Sequence, residues 1–166
     1  MGIDSSSTGI GISLLDGNSL EAYFHRTFKH KNKYMRLIHI SDFLNPIIEL
    51  LKPDIIVVEI PYSPSRSGLS VLNMVLGIVF YCSTIKNGVE FVEAHPSSVQ
   101  RACDIPFKVE IEGKLKNIPR EMKKVMTIEY INKTYNLSLT EKEDDIADAI
   151  ALAKCLKEEI DGGGEL

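Results

Sequence analysis

Four acidic residues stand where the pattern of the chain predicts buried carboxylates. Asp4 ends a short apolar strand, and Glu59 ends the β-branched run "IIVVE". Asp145 and Asp148 are three residues apart in a helical pattern, so they lie on one face of that helix. A buried carboxylate is costly unless something positive meets it. The helix dipole also favours acids in a first turn, so these two aspartates alone leave a structural role open.

The elements that carry these acids follow an order that brings them together. The pattern predicts a meander of three strands, a helix over 34–51, a central strand "IIVVEI", an apolar helix over 69–85 and a fifth strand "VEFVEA". A helical turn at "HPSSVQRA", a ribbon "KVEIEGKLKN", a basic helix over 120–135 and a last helix over 140–160 follow. This order is typical of an α/β fold with a five-stranded mixed β-sheet and helices on both faces. If the first and fourth strands are neighbours, Asp4 and Glu59 share the carboxyl edge of the sheet.

Four acids within a few ångström of one another cannot all stay ionised without cations. Oxygen-only ligands select Mg²⁺ or Mn²⁺. Two such ions can clamp the attacking and leaving oxygens of a phosphodiester displacement. Asp4, which precedes "SSSTG", could instead cap a tight turn.

On the helical wheel, the acids of the last helix point in different directions. At about 100° per residue, Asp145 projects between Leu152 and Leu156, inside the apolar arc, and Asp148 lies at its edge. Asp144 projects further toward solvent. We therefore expect Asp144→Ala to be tolerated where Asp145→Ala is not.

The bulk composition is that of one globular domain. The 166 residues suffice for a single domain, which we place at 1–160, followed by a flexible tail at 161–166. The three cysteines have no metal-type spacing, which favours reduced, structural thiols. No apolar run reaches the roughly 18 residues of a membrane span, and the N-terminus lacks a signal-type pattern. We therefore expect a cytoplasmic protein that is neither secreted nor bound to a membrane.

Charge is unevenly distributed along the chain. The net charge of −4 argues weakly against a nucleic-acid binder. Residues 25–36, however, hold five Lys/Arg and no acid, and residues 101–124 hold seven Lys/Arg against four acids. Residues 141–161 hold eight acids against three bases. Such a chain can bind polyanions if metal neutralises the acids, although solvated loops and helix faces would give the same pattern.

Three motifs together resemble a known family. In their order, "GIDSSSTGIGIS", "IIVVEIPY" and "DDIADAIALA" resemble the RuvC-type Holliday junction resolvases of the RNase H-like superfamily. The resemblance implies an RNase H-like fold, a homodimer, and paired nicking of four-way DNA junctions in recombination and repair. It also implies two Mg²⁺ ions per site, which Mn²⁺ can replace. Asp4, Glu59, Asp145 and Asp148 would be the catalytic, metal-binding carboxylates.

The sequence departs from the family pattern in two places. The family's first motif usually reads Asp-Pro-Gly, whereas this chain has Asp4-Ser5-Ser6, and the segment 103–119 is longer than in typical bacterial members. Both departures favour a divergent, viral-type branch, and the site of action would be the nucleoid or a host cytoplasm.

The resemblance also implies residues that contact DNA. The family places an aromatic residue three positions after the strand-four Glu, where Tyr62 stands, and stacking on a base is worth roughly 1–3 kcal/mol. Basic residues before and on the helix that precedes the last one correspond to Arg101, Lys123 and Lys124. Each of the four could equally be an ordinary surface residue. His95 ends the fifth strand and could approach the site.

Several alternatives remain at this point. The helix over 69–85 is apolar almost all round, so it is either buried inside the domain or part of a two-fold interface. A related RNase H-like nuclease for other branched DNA or for RNA–DNA hybrids would use the same carboxylates. A junction-binding module without catalysis would lack a carboxylate, and none is missing. An actin-like ATPase would need a second lobe, for which the chain is too short.

Overall fold

The computed structural model describes residues 1–61, 65–111 and 113–163. Strands and helices follow one another along the chain in the order that the sequence predicts. Their bounds are β1 Gly2–Ser5, β2 Gly9–Asp16, β3 Ser19–Thr27, α1 Lys33–Leu51, β4 Ile55–Glu59, α2 Arg66–Phe80, β5 Glu90–Ala94, α3 Pro96–Ala102, β6 Lys108–Ile111, β7 Lys114–Asn117, α4 Arg120–Tyr135 and α5 Asp144–Asp161. The last helix thus ends one residue beyond the predicted domain boundary at 160.

Strands β1 to β5 form one mixed sheet in the order β3-β2-β1-β4-β5. The meander β1–β2–β3 is antiparallel, whereas β1 pairs with β4, and β4 with β5, in parallel. The predicted five-stranded mixed sheet is therefore confirmed, and so is the pairing of the first and fourth strands. Strands β6 and β7 form a separate two-stranded ribbon.

The alternation of side chains along the strands divides the core into two halves. Ile3, Ile10 and Ile12 are buried with Ile40 and Leu44 of α1 on one face of the sheet. On the other face, Val57 of β4 and Ala94 of β5 pack with the buried residues of α3, α4 and α5. The even-numbered residues of β1, Gly2 and Asp4, therefore face α5.

Helix α5 lies unusually close to β1 and β2 because the residues beneath it are small. A Cβ added to Gly2 would stand 2.0 Å from the carbonyl oxygen of Ala149, and one added to Gly11 would stand 2.0 Å from that of Asp145. The hydroxyl of Ser13 donates a hydrogen bond of 2.8 Å to the same Ala149 carbonyl. Glycine at these two strand positions therefore permits the helix backbone to rest directly on the sheet.

Helix α2 is not the core helix that one of the two sequence interpretations expected. It continues into a π-helical turn, Tyr81–Lys86, and buries only Val75 and Val79 within its own length. Large apolar side chains further along are exposed, among them Phe80, Tyr81 and Ile85. The whole-domain burial of this helix is therefore excluded, because a single chain covers only one of its faces.

The same stretch also corrects the expectation that no segment reaches membrane-spanning length. Within the described part of the chain, Arg66–Lys86 is the one helical stretch long and apolar enough to cross a membrane by length and composition, and 22% of its most apolar window is buried. Core helices of soluble proteins pass the same test.

Candidate active site

The four predicted carboxylates line one cleft of about 700 Å³ at the carboxyl edge of β1 and β4. Ile3 pairs with Val58 in the parallel β1–β4 ladder, and the next residue of each strand is Asp4 and Glu59. The first turns of α5 supply the remaining acids. We call this cavity the acidic cleft; its polar lining comprises Asp4, Ser5, Ser6, Glu59, Gln100, Arg120, Lys123, Lys124, Thr127, Asp144, Asp145 and Asp148.

A capping box sets where α5 begins. Thr140 and Glu143 bond each other reciprocally at the start of a 3₁₀ turn, Glu141–Glu143, and the backbone N–H of Thr140 donates to Glu143 Oε2 at 2.9 Å. The α-helix follows directly from Asp144. The cap that the sequence predicts therefore fixes the start of the helix, and the glycine contacts of β1 and β2 fix its position over the sheet.

Negative charge is crowded in the acidic cleft. Burial, and then Asp148, Asp145 and Glu59, raise the pKa of Asp4 well above its usual value. Burial, followed by Glu59 and Asp144, raises the pKa of Asp148 to about 7. Burial also raises the pKa of Glu59, and Lys123 and then Arg120 oppose that rise. The carboxylates therefore repel one another, and the neighbouring cations offset only part of this repulsion.

The donor chemistry of the cleft suits a hard divalent cation. Asp4, Glu59, Asp145 and Asp148 offer only oxygen ligands, and neighbouring carboxylates add to burial in raising the pKa values of Asp4 and Asp148. Within residues 1–61, 65–111 and 113–163, however, no group of three or more acidic, histidine or cysteine side chains is arranged to hold a metal ion. The fit rests on ligand type and charge rather than on a preformed coordination group.

His25 is a member of the site that the sequence interpretation left out. Its Nε2 lies 2.9 Å from Oδ2 of Asp145. His25 stands opposite Gly11 in the β2–β3 ladder, and Gly11 is the residue over which Asp145 rests. Only the register of the meander could have identified His25 as a neighbour of Asp145. Strand order and pairing place this histidine next to the start of a helix about 120 residues further along the chain.

The position of Asp144 differs from the one that the helical wheel predicts. It lines the cleft with the other acids and pairs with the ammonium of Lys124. Its side chain is 20% exposed, against 28% for that of Asp145. The prediction that Asp144 projects further toward solvent is wrong, because helix α4 packs against the first turn of α5 and covers it.

The predicted DNA-binding residues separate into two groups. Lys123 and Lys124 line the acidic cleft. Arg101 does not: it is exposed on α3 and donates a 3.1 Å hydrogen bond from a guanidinium nitrogen to Ser98. Tyr62 lies outside the described residues.

Two other residues lie near Glu59. Arg120, which the sequence interpretation left out, lines the cleft one turn before Lys123. Its position as the first residue of the basic helix α4 is the sequence feature that could have identified it as part of the site. His95 caps α3, since its Nδ1 accepts the backbone N–H of Ser97 at 3.2 Å. His95 also opposes the rise in the pKa of Glu59.

Comparison with known proteins supports the resemblance that the motifs carry. The chain is 26% identical to the crossover junction endodeoxyribonuclease RuvC of Caldicellulosiruptor saccharolyticus over 154 residues, which cover 93% of this chain and 82% of that protein. Its fold is similar to that of T. thermophilus RuvC in complex with a Holliday junction substrate (TM-score 0.75, 16% identity, 98% of this chain and 94% of the other). It is also similar to the Fowlpox virus resolvase in complex with Holliday junction DNA (TM-score 0.56, 16% identity, 96% of each chain). No model of a protein family matches the chain.

Proposed function

We propose that this chain, which is RuvC-like in sequence and fold, is an endonuclease that resolves four-way DNA junctions by paired nicking. The observation that carries the proposal is the convergence of Asp4, Glu59, Asp145 and Asp148 on one cleft. Each of them stands in a motif that resembles the family, and the curated relative is named a crossover junction endodeoxyribonuclease. The proposed nuclease domain spans residues 1–160.

The four carboxylates would hold two Mg²⁺ ions, which Mn²⁺ can replace. When bound, such ions supply the positive charge that activates a water molecule and stabilises the charge developing on the phosphate. The protein's own contribution is to hold the oxygen ligands: β1 and β4 present Asp4 and Glu59 from a rigid sheet edge, and α5 presents Asp145 and Asp148. His25 holds Asp145 from the side of β3.

Cations on α4 would orient the DNA strand in the cleft. Lys123 lines the cleft and favours the ionised forms of Glu59 and Asp148, so its ammonium would contact a phosphate bound next to these carboxylates. Lys124 is held by Asp144 at the same wall. Tyr62, three residues after Glu59, would stack on an unpaired base at the branch point. Arg101 lies outside the cleft, and its contact with DNA remains a prediction.

Paired nicking requires two active sites, and the exposed face of α2 provides a reason for a homodimer. Phe80, Tyr81 and Ile85 leave apolar surface on a helix that its own chain covers on one side only. An isologous dimer through this face would bury it and would present two acidic clefts to opposite strands of a two-fold junction.

The test is cleavage of a synthetic four-way junction in Mg²⁺, with a linear duplex of the same sequence and an RNA–DNA hybrid as competitors. We expect wild-type protein to nick the junction at paired positions and Asp4→Asn to lose at least about 100-fold in rate, since one carboxylate ligand is gone. Asp4→Asn should still bind the junction in EDTA. The matched control is Asp42→Asn, an exposed aspartate on α1, which should cut at the wild-type rate.

Each other outcome has a defined meaning. Preferred cutting of the hybrid or of the duplex would replace junction resolution with a related RNase H-like nuclease activity. Junction binding without any cleavage in Mg²⁺ or Mn²⁺ would indicate a binding module. Cutting by Asp4→Asn at the wild-type rate would contradict the assignment of the active site.

A further inference from the structure

A basic loop between β3 and α1 has no role in the function proposed so far. Residues 25–36 hold five Lys/Arg, and no acid occurs between Glu21 and Asp42. We call residues 28–36 the basic loop; it includes the N-cap of α1 and the first turn of that helix. In a chain of net charge −4, such a concentration of positive charge is a candidate surface for a polyanion.

The basic loop is attached to the wall of the acidic cleft. The backbone N–H of Phe28 donates to the carbonyl of Thr8 at 2.7 Å, and Nε of Arg36 donates to the carbonyl of Ser7 at 3.0 Å. Ser6, the preceding residue, lines the cleft together with Asp4. Because this turn joins β1 to β2, it flanks Asp4 on the side away from β4 and Glu59. The loop therefore extends the cleft on the side opposite to the cations around Glu59.

Internal contacts give the basic loop a defined shape. Phe28 is buried, and its ring lies edge-on to that of Phe43 with 5.7 Å between the ring centroids. A guanidinium nitrogen of Arg36 donates to the carbonyl of His30 at 2.6 Å, and the side chain of Asn32 accepts the backbone N–H of Tyr34 at 2.8 Å. A surface held in this way loses little conformational freedom when it binds a ligand.

The cations on the two sides of the cleft differ in their partners. On the α4 side, Lys124 pairs with Asp144, and Lys123 and Arg120 act on Glu59. On the other side, Lys29 and Lys31 are exposed, and neither forms an ion pair within the described ranges of the chain. Their charge is thus available to an external anion, whereas the charge of the α4 cations is partly neutralised inside the protein.

We propose that the basic loop binds the phosphodiester backbone of the DNA arm that leaves the acidic cleft on the Asp4 side, with Lys29 and Lys31 as its phosphate contacts. This inference rests on the proposed function and adds to it a second phosphate-binding surface. The loop is continuous with the cleft through Ser6, Ser7 and Thr8, so a strand that passes Asp4 reaches it directly. Contacts of this kind position DNA without reading its sequence.

The experiment compares Lys29→Ala, Lys31→Ala and the double variant with wild type in junction binding. Binding is measured in EDTA, where no cutting occurs, over a series of salt concentrations. On duplex DNA, each phosphate contact makes the plot of log K against log salt steeper by about 0.9. The magnitude of the slope should therefore be smaller by about 0.9 in each single variant and by about 1.8 in the double variant. Affinity should fall several-fold per lysine. Single-turnover nicking in Mg²⁺ at saturating protein should keep the wild-type rate.

The matched control is Lys133→Ala. Lys133 is exposed in the last turn of α4, ten residues beyond Lys123 and hence about 15 Å along the helix. Its slope and affinity should equal those of wild type. Unfolding midpoints of all variants should agree, because exposed lysines contribute little to stability.

The outcomes separate this inference from the proposed function. If wild type cuts junctions but the Lys29 and Lys31 variants keep the wild-type slope, the basic-loop inference fails and the function stands. If the variants cut more slowly at saturation while their affinity is unchanged, the loop acts on the chemistry and the inference is again wrong. If wild type neither binds nor cuts a four-way junction, the function fails and the inference fails with it.

Discussion

The carboxyl group of Asp148 lowers the stability of the metal-free protein and offers oxygen ligands to a metal ion. Its carboxyl lies beside Glu59 and Asp144 and is largely removed from water, which raises its pKa from 3.8 to about 7. The folded protein therefore disfavours the ionised form that a metal ligand requires. A residue kept in such surroundings is expected at a functional site rather than in a purely structural role.

The first prediction is that Asp148→Asn stabilises the metal-free protein in a pH-dependent way. The wild-type carboxylate carries its full cost above its folded pKa of about 7 and none below its unfolded pKa of 3.8. In EDTA at pH 8 the variant should be more stable by roughly 2–4 kcal/mol, since three pKa units correspond to about 4 kcal/mol before relaxation. The gain should shrink toward zero near pH 4. Urea unfolding across this pH range measures it.

Asp42→Asn serves as the control for the same series, because Asp42 is exposed on α1. It should change the free energy of unfolding by less than about 0.5 kcal/mol at every pH. Mg²⁺ should stabilise wild type more than Asp148→Asn, because a ligand that binds the folded state stabilises it by mass action. An Asp148→Asn variant that is less stable than wild type at pH 8 would contradict the charge-crowding account.

At the scale of elements, the site depends on how closely α5 rests on the meander. Gly2 and Gly11 remove the side chains that would hold the helix away, and Ser13 bonds the helix backbone. The distance between Asp4 and the two aspartates of α5 is set by this contact. Protein interiors respond to a single added methyl group because they are closely packed.

The second prediction compares two glycines of β2. A methyl group at Gly11 would lie 2.0 Å from the backbone oxygen of Asp145, so Gly11→Ala must displace α5 and should cost roughly 2–4 kcal/mol. A methyl group at Gly9 would lie 3.0 Å from Asp145 Oδ2, the end of a side chain rather than the helix backbone. Gly9→Ala should therefore cost less than about 1 kcal/mol. Urea unfolding measures both, and equal losses would show that the close helix contact does not control stability.

At the scale of the whole molecule, a single chain leaves the α2 face incomplete. The stretch from α2 through its π-helical turn is the most apolar helical segment of the described chain, yet most of it is not covered. The acidic cleft contains Asp4, Glu59, Asp145 and Asp148 of the same chain. In the proposed dimer, the α2 interface would therefore set the spacing of two such clefts.

The third prediction is that Ile85→Glu converts a dimer into a monomer. Ile85 is 63% exposed in the isolated chain, and an unpaired glutamate in an apolar interface carries a large desolvation cost. Leu115→Glu is the control, since Leu115 is 74% exposed on the separate ribbon. Light scattering after size exclusion should give a dimer for wild type and Leu115→Glu and a monomer for Ile85→Glu. A monomeric wild type at micromolar concentration would contradict the proposed interface.

The monomeric variant also tests the link between assembly and cutting. Ile85→Glu should still nick junctions, because its clefts are intact, but the two nicks should no longer be paired. Simultaneous nicking of both strands by a monomer would show that paired nicking does not depend on the two-fold arrangement.

Local patterns in the sequence were enough to predict the elements and the residues at their ends. Hydrophobic period and turn signals determine where strands and helices occur, and both act within a few residues. The ribbon "KVEIEGKLKN", helix α4 and the capping box of Thr140 and Glu143 are confirmed for this reason. Asp4 and Glu59 fall at or next to strand ends in the same way, and the order of the strands brings these two together. Asp145 and Asp148 join them because α5 packs on β1 and β2.

The tertiary structure decided what depends on the packing of distant segments. Asp144 faces Lys124 rather than solvent because α4 covers the start of α5, which a helical wheel of one helix does not contain. His25 meets Asp145 through the β2–β3 register and the glycine beneath α5. The exposed face of α2 depends on what its own chain leaves uncovered. In each case, the physical reason is that burial and charge pairing are properties of two or more elements in contact, and sequence periodicity describes only one element at a time.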